Sequence, residues 1–487
     1  MSDKFPQATE LKELWSGEEA LEYINKLYDR SRQQVLEFIN CLDDDTLDAS
    51  NCCLDVANYP FVGFEVTPEN MHVDARLSYG VAIDPGLYGI SVTRPDLFGA
   101  YYKEQIDLLI KHHKVPVYVG LSDEPIPIPF VTESVTQPYT MEKLWKVNAD
   151  SLLPDLKRIN DDIANGIFVS DKDTPFPLAL FNAERVDFSL SRLKHYTATN
   201  PKHFQSFILL TNYQRYIKEF EAFAHNEVIQ GNEFTSFVGP GNTEYFKDGT
   251  KSGSTPEHLP QMPAYHLKRE DGQGITLINI GVGPSNAKTI TDHLAVLRPN
   301  CWLMVGHCAG LRRSQLLGDY VLAHAYIRED HVLDQDLPAS IPVPPLAEIQ
   351  VALSQAVAKV TGLEGHDMKK RMRTGTVVTS DNRNWEMLTK QFYLTFKQSR
   401  AIALDLESAT IAANGFRLRV PYGTLLCVSD KPIHGEIKLK SAANAFYQER
   451  VQQHLKIGIE AMRLLREQGE EQMHSRKLRG FHEPPFR

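Results

Sequence analysis

The chain has 487 residues, 42% of them hydrophobic, and a formal net charge of −10. That length exceeds one ordinary core and calls for two or three domains, while the negative charge opposes broad attraction to DNA or RNA. Six scattered cysteines without a C-x-x-C pair argue against a disulfide framework or a zinc site. The opening MSDKFPQATELKE lacks the regions of a signal peptide, and no apolar run nears the ~18 residues of a membrane helix, so a cytoplasmic protein bound to neither membrane nor nucleic acid is expected.

In SGEEALEYINKLYDRSRQQVLEFINCL, Ser16 and Glu19 have capping-box spacing, and Leu21, Ile24, Leu27, Tyr28, Val35 and Ile39 recur at helical intervals. An amphipathic helix is predicted there. Further on, Asp84-Pro85-Gly86 offers a turn between two β-rich runs, and Pro95 sits where a helix can begin. DEPIPIPFV, residues 123 to 131, reads as a proline-spaced extended segment, and composition shifts again over residues 171 to 185. These features define an α+β N-terminal domain over residues 1–178 and a second domain over residues 179–487.

The second domain opens with a buried strand running to Leu210, a polar turn and a helix. AYHLKREDGQGITLINI predicts a hairpin around Asp271-Gly272, and CWLMVGHCAGL, GDYVLAHAYI, TGTVVTS, SRAIALDLE and YGTLLCVSD add five short β-rich runs. Alternation of such runs with helical segments predicts an α/β fold, a central sheet flanked by helices. VQQHLKIGIEAMRLL carries Val451, Leu455, Ile459, Met462 and Leu465 on one face and reads as a closing helix.

Several strand ends carry polar groups where α/β proteins place their sites. GVGPSN at residues 281–286 fails the dinucleotide fingerprint because Asn286 occupies the sixth place, and it lacks the Lys-Ser/Thr of a Walker loop. Gly281, Gly283 and Ser285 then form either a backbone cradle for a ligand at a helix start or a simple tight turn. Thr211 and Asn212 end the first strand, with Arg215 one turn into the following helix, placed for an anion or for solvent. Asp405 and Glu407 stand two residues apart before a small-residue helix, and either accept hydrogen bonds from a diol or simply favour the helix N-terminus. Ser429-Asp430 ends the last strand, where a partly desolvated carboxyl can act as a general acid or merely cap a turn. His307 has no partner at metal-ligand spacing and reads by default as a core or hydrogen-bonded residue, with a substrate contact as its other candidate role.

The order of these motifs, TNYQR, GVGPSNA, VGHCAGL, VVTSDNRNW, ALDLES and LLCVSDKP, resembles the nucleoside phosphorylase and nucleosidase superfamily. DFSLSRLKHYT, VLAHAYIRED and HSRKLRGFHEPPFR extend the resemblance, over nearly the whole chain, to the AMP nucleosidases. The resemblance implies a C-terminal nucleoside-phosphorylase-like domain, with Asp430 assisting the departing purine at N7 and Glu407 binding the ribose hydroxyls, although Leu406 replaces the family's usual Met. Arg215 would bind phosphate, and Asn384 and Trp385 would contact the base. Met304-Val305-Gly306-His307 departs from the phosphorylases, which carry an Arg before Val-Gly and a Ser after it. Losing such a charge-assisted contact costs about 1.5 to 3 kcal/mol, which favours water over phosphate as the nucleophile. The resemblance thus implies hydrolysis of AMP in purine salvage and adenylate-pool regulation. It further implies no cofactor for the chemistry, activation by MgATP, inhibition by phosphate, and a homohexamer. A nucleotide phosphorylase and a non-catalytic AMP sensor are the alternatives.

Overall fold

The computed structural model describes residues 4–43, 57–74, 76–132, 153–170, 174–437, 444–473 and 478–487. The chain forms two compact units, Met1–Ser191 together with Arg479–Arg487, and Arg192–Leu478. They part inside the helix Ala183–Thr197, where the sequence reading sets 178/179.

In the first unit, strands β1 (Ala8–Leu14), β2 (Asn58–Val66), β3 (Gly86–Ser91), β4 (Val117–Pro125) and β5 (Phe176–Pro177) make one sheet in the order β1-β4-β2-β3-β5. The helices Gly17–Asp43 and Pro95–His113 pack on each other, and the Gly17 N–H donates to Asp107 Oδ1 at 2.7 Å, pinning the start of one to the side of the other. Ser16 caps the first helix as its spacing predicts, accepting from the Glu19 N–H at 3.2 Å. Pro95 opens the second, where its missing N–H costs no hydrogen bond. The run before Asp84 is not a strand. Gly80 takes a left-handed conformation (φ 69°) and its N–H donates to the Pro485 carbonyl, so this stretch receives the C-terminal segment, and β3 pairs with β2 instead. The proline-spaced stretch likewise divides into the end of β4 and a short helix, Ile128–Thr132. Cys41 is disulfide-bonded, whereas Cys301, Cys308 and Cys427 are free and buried.

The second unit is built on an eleven-stranded sheet. Its members are β6 (Phe207–Thr211), β7 (Ser236–Gly239), β8 (Thr243–Phe246), β9 (Lys251–Ser252), β10 (Ala264–Lys268) and β11 (Ile275–Asn279), then β12 (Cys301–Gly310), β13 (Tyr320–Glu329), β14 (Met372–Ser380), β15 (Ala403–Asp405) and β16 (Tyr422–Asp430). The order is β15-β14-β13-β16-β12-β6-β11-β10-β7-β8-β9. β6, an unbroken apolar run with helices on its flanks, runs parallel to both β11 and β12, the pattern of a strand buried on two faces. The predicted hairpin forms between β10 and β11, with Gly272 at φ 71° in its turn, and all five later β-rich runs become strands. The fold is mixed α/β.

One feature has no local signal. β15 also pairs antiparallel with β12, joining Ala309 to Leu404 and Gly310 to Ala403, so β12, β16, β13, β14 and β15 close on themselves. This closure turns the segment after β15 back along β12. It brings residues 405 to 408 against the carboxyl ends of the parallel strands.

Candidate active site

Glu407 lies at the centre of that junction, fully buried. Its Oε2 accepts from Asn212 Nδ2 at 2.8 Å and its Oε1 from the Gly283 N–H at 2.7 Å. Burial first, then the neighbouring Asp405 carboxyl, push its pKa up, while the two donors oppose the rise. Gly283 precedes the helix Pro284–Leu294, with φ at 118°, a conformation that favours glycine. Gly281 is also left-handed (φ 70°), and its N–H donates to Asn279 Oδ1 at 3.2 Å.

Both glycine N–H groups are therefore engaged inside the protein. Of these two groups, the Gly283 N–H supplies a hydrogen bond that holds Glu407. Ser285 is exposed in the first turn of the helix.

Asp405 belongs to the framework. Its Oδ1 accepts from Thr379 Oγ1 at 2.6 Å, and its Oδ2 accepts from both the N–H and the hydroxyl of Ser408. Thr379 Oγ1 accepts in turn from the Ala409 N–H at 2.9 Å, so β14 and β15 jointly anchor the start of the helix Ser408–Arg417. Burial raises the Asp405 pKa against these donors. Of the two readings of the acidic pair, Asp405 realises the helix-start one. Both its oxygens are engaged within the framework, by Thr379 and Ser408.

The helices that follow Gly283 and Glu407 are tied together as well. Asp292 Oδ1 accepts from Asn414 Nδ2 at 2.8 Å and from Arg417 Nη2 at 2.6 Å, and Arg417 Nε donates to Asn414 Oδ1 at 2.9 Å. Asn414 and Arg417 are buried, so their hydrogen bonds act with little competition from water.

Asp430, half-buried, ends β16 opposite Ala309 of β12, and Ser429 donates its hydroxyl hydrogen to Asp430 Oδ1. Gly306, three residues earlier on β12, lies against Asn212: a Cβ there would fall 2.9 Å from Asn212 Oδ1. At strand rise the two places are separated by about 10 Å along β12, a span suited to the sugar and base of one nucleotide. His307, half-buried, lies among rings, 4.8 Å from Tyr213 and 5.7 Å from Tyr216 between centroids. Arg215 is in the first turn of the helix Gln214–Gln230, its guanidinium 5.8 Å from the Tyr213 ring. Thr211 is fully buried at the end of β6, and its hydroxyl has no hydrogen-bond partner among the described residues.

The two residues assigned to the base, Asn384 and Trp385, separate here. Trp385 is buried in an apolar cluster with Ala309, Leu404 and Phe396, its ring 6.1 Å from that of Phe396, while Asn384 is exposed. Trp385 thus builds the floor beside β12 and β15. Gly306 and Thr379 were not singled out by sequence reasoning. A glycine inside a β-rich run is a recognised sign of close approach and could have marked Gly306, whereas nothing local marks Thr379.

Two family models match the chain. Residues 19–175 match "Bacterial AMP nucleoside phosphorylase N-terminus" and residues 244–463 match "Phosphorylase superfamily". AMP nucleosidase of Escherichia coli strain K12 is 50% identical over 420 residues, covering 84% of this chain and 85% of the relative, and that of strain O157:H7 matches equally. The chain belongs to the AMP nucleosidase family. Among solved structures, AMP nucleosidase from Bacteroides thetaiotaomicron is 29% identical with a TM-score of 0.43, covering 58% of this chain and 98% of that one. Purine nucleoside phosphorylase from Toxoplasma gondii in complex with immucillin-H is 16% identical with a TM-score of 0.41, covering 56% and 98%.

Proposed function

We propose that this chain hydrolyses the N-glycosidic bond of AMP to adenine and ribose 5-phosphate, in purine salvage. The 50% identity to a curated AMP nucleosidase over most of both chains carries the reading, and the buried, doubly anchored Glu407 agrees with it. Asp430 donates a proton to adenine N7 as the C1'–N9 bond breaks and the bonding pair leaves with the base. Glu407 accepts from the ribose hydroxyls and sets a negative charge near the cation growing at the sugar. Water adds to C1', and the proton it releases restores Asp430. Arg215, with the first turn of the helix Pro284–Leu294, serves the 5'-phosphate, and binding that remote group orients the reacting bond.

Activation by MgATP, inhibition by phosphate, a homohexameric state and a cytoplasmic location belong to the same proposal and rest on the resemblance. No helix among the described residues is long and apolar enough to cross a membrane.

The test is product analysis with AMP, with and without phosphate. Adenine and ribose 5-phosphate in both reactions are expected. Ribose 1,5-bisphosphate formed only with phosphate would make the protein a phosphorylase, and AMP binding without adenine release would make it a sensor. Asp430→Asn should lower kcat about 10²- to 10⁴-fold with little change in KM; equal turnover by the variant removes Asp430 from its role.

A further inference from the structure

We infer that Asn212 is a positioning residue, whose side-chain amide holds Glu407 in the acceptor form and the orientation that a ribose diol requires. The inference deepens the proposed function and rests on it for the identity of the diol.

A diol donates hydrogens, so the carboxyl that receives it has to be an acceptor at both oxygens, which means ionised. Burial of Glu407 and the nearby Asp405 work against that state. Outside its own segment, the opposing contacts are the Gly283 N–H and Asn212 Nδ2. An amide nitrogen and a backbone N–H can only donate to it, so neither adapts to a protonated Glu407 as a hydroxyl would.

The Asn212 amide is itself confined. Its Oδ1 faces Gly306, where even a methyl group would sit 2.9 Å away. Nδ2 is the end turned to the carboxylate. Titratable groups on the adjoining elements include Tyr213 and Arg215 beyond β6, Cys301, His307 and Cys308 on β12, Lys288, Asp292 and His293 in the helix after Gly283, and Arg417 in the helix after Glu407. Asp405 is the charged neighbour that acts on Glu407 most directly.

The experiment compares the full-length protein with Asn212→Ala and Asn212→Asp by pH-difference infrared spectroscopy, the Glu407 carboxyl band being assigned by its loss in Glu407→Gln. Losing one charge-assisted donor should raise the midpoint of that band by about 1 to 2 pH units in the alanine variant, and the aspartate, adding like charge, should do at least as much. An unmoved midpoint in folded Asn212→Ala overturns the inference. In parallel, the acid limb of kcat/KM for AMP should move up by a similar interval, and the preference for AMP over dAMP should fall, which a purely structural defect would not produce. A wild-type protein whose band responds to Asn212 but which releases no adenine from AMP keeps the positioning role and sinks the proposed function. If it releases adenine while the band and the AMP-to-dAMP ratio ignore Asn212, the function stands and the positioning role falls.

Discussion

Each unit buries a carboxyl group, and the two are held by different kinds of donor. In the first unit Asp187, on the helix Ala183–Thr197, is met by hydroxyls: Tyr59 donates to Oδ2 at 2.8 Å, and the Thr93 oxygen lies 3.0 Å from both carboxyl oxygens. Tyr102 in turn donates to the Thr93 carbonyl at 2.8 Å. In the second unit Glu407 is met by N–H groups from Asn212 and Gly283. Hydroxyls can donate or accept, so the Asp187 site can host a neutral acid, and burial pushes its pKa up to about 7. N–H groups cannot accept, and around Glu407 they favour the charged form against the burial and the Asp405 carboxyl that raise its pKa to about 8. The first arrangement suits a structural knot, the second a group that has to receive hydrogens from a substrate.

The sharpest break of this contrast is Glu407→Gln. Its amide must turn an NH₂ toward either Asn212 Nδ2 or the Gly283 N–H, donor against donor. AMP turnover should fall about 10²- to 10³-fold, measured as adenine release. Retention of turnover would mean that charge at this position is dispensable.

Gly306→Ala probes the same holding arrangement from behind. The added methyl group meets Met304 Cε at 2.7 Å and Asn212 Oδ1 at 2.9 Å; the methionine tip can yield, so the strain passes to Asn212. We expect kcat/KM to fall roughly tenfold while the fold persists. Unchanged kinetics with an unchanged melting profile would show that Asn212 has room to spare.

Asp187→Asn is the counterpart in the first unit and should leave AMP turnover within about twofold, the range of a change that touches no reacting group. Its effect belongs to stability. The folded pKa of about 7 lies above the ordinary 3.8, so the folded state holds a proton that the unfolded chain releases, and wild-type stability falls as pH rises from about 4 to about 7. The asparagine variant removes that slope, which amounts to at most about 4 kcal/mol over the window. Urea unfolding at pH 5 and pH 7.5 measures it: the wild type should lose more stability than the variant between the two, and parallel losses would show that Asp187 does not titrate there.

Much of the framework was legible without coordinates because it depends on local pattern. The apolar run ending at Leu210, the Asp271-Gly272 turn and the 3.6-residue spacing of Leu21, Ile24 and Tyr28 each state a burial preference that neighbouring residues satisfy. The misread stretch before Asp84 shows the limit of such pattern, since its backbone finds a partner, Pro485, about 400 residues away. The same limit applied to Trp385, whose position in a motif says nothing of the cluster that Phe396 and Leu404 close around it.

The site divides along the same line. Which residues are the candidates for the chemistry, Glu407 and Asp430, and which family the chain belongs to are properties of residue order, readable because the motifs occur in a distinctive succession. Which hydrogen-bond donors those carboxyls meet is not. Asn212 lies 195 positions from Glu407 and Gly283 lies 124, and the antiparallel closure of β15 on β12 brings them within 3 Å. The preferred charge of a buried carboxyl is set by donors at contact distance, and contact between remote segments exists only once the sheet has closed.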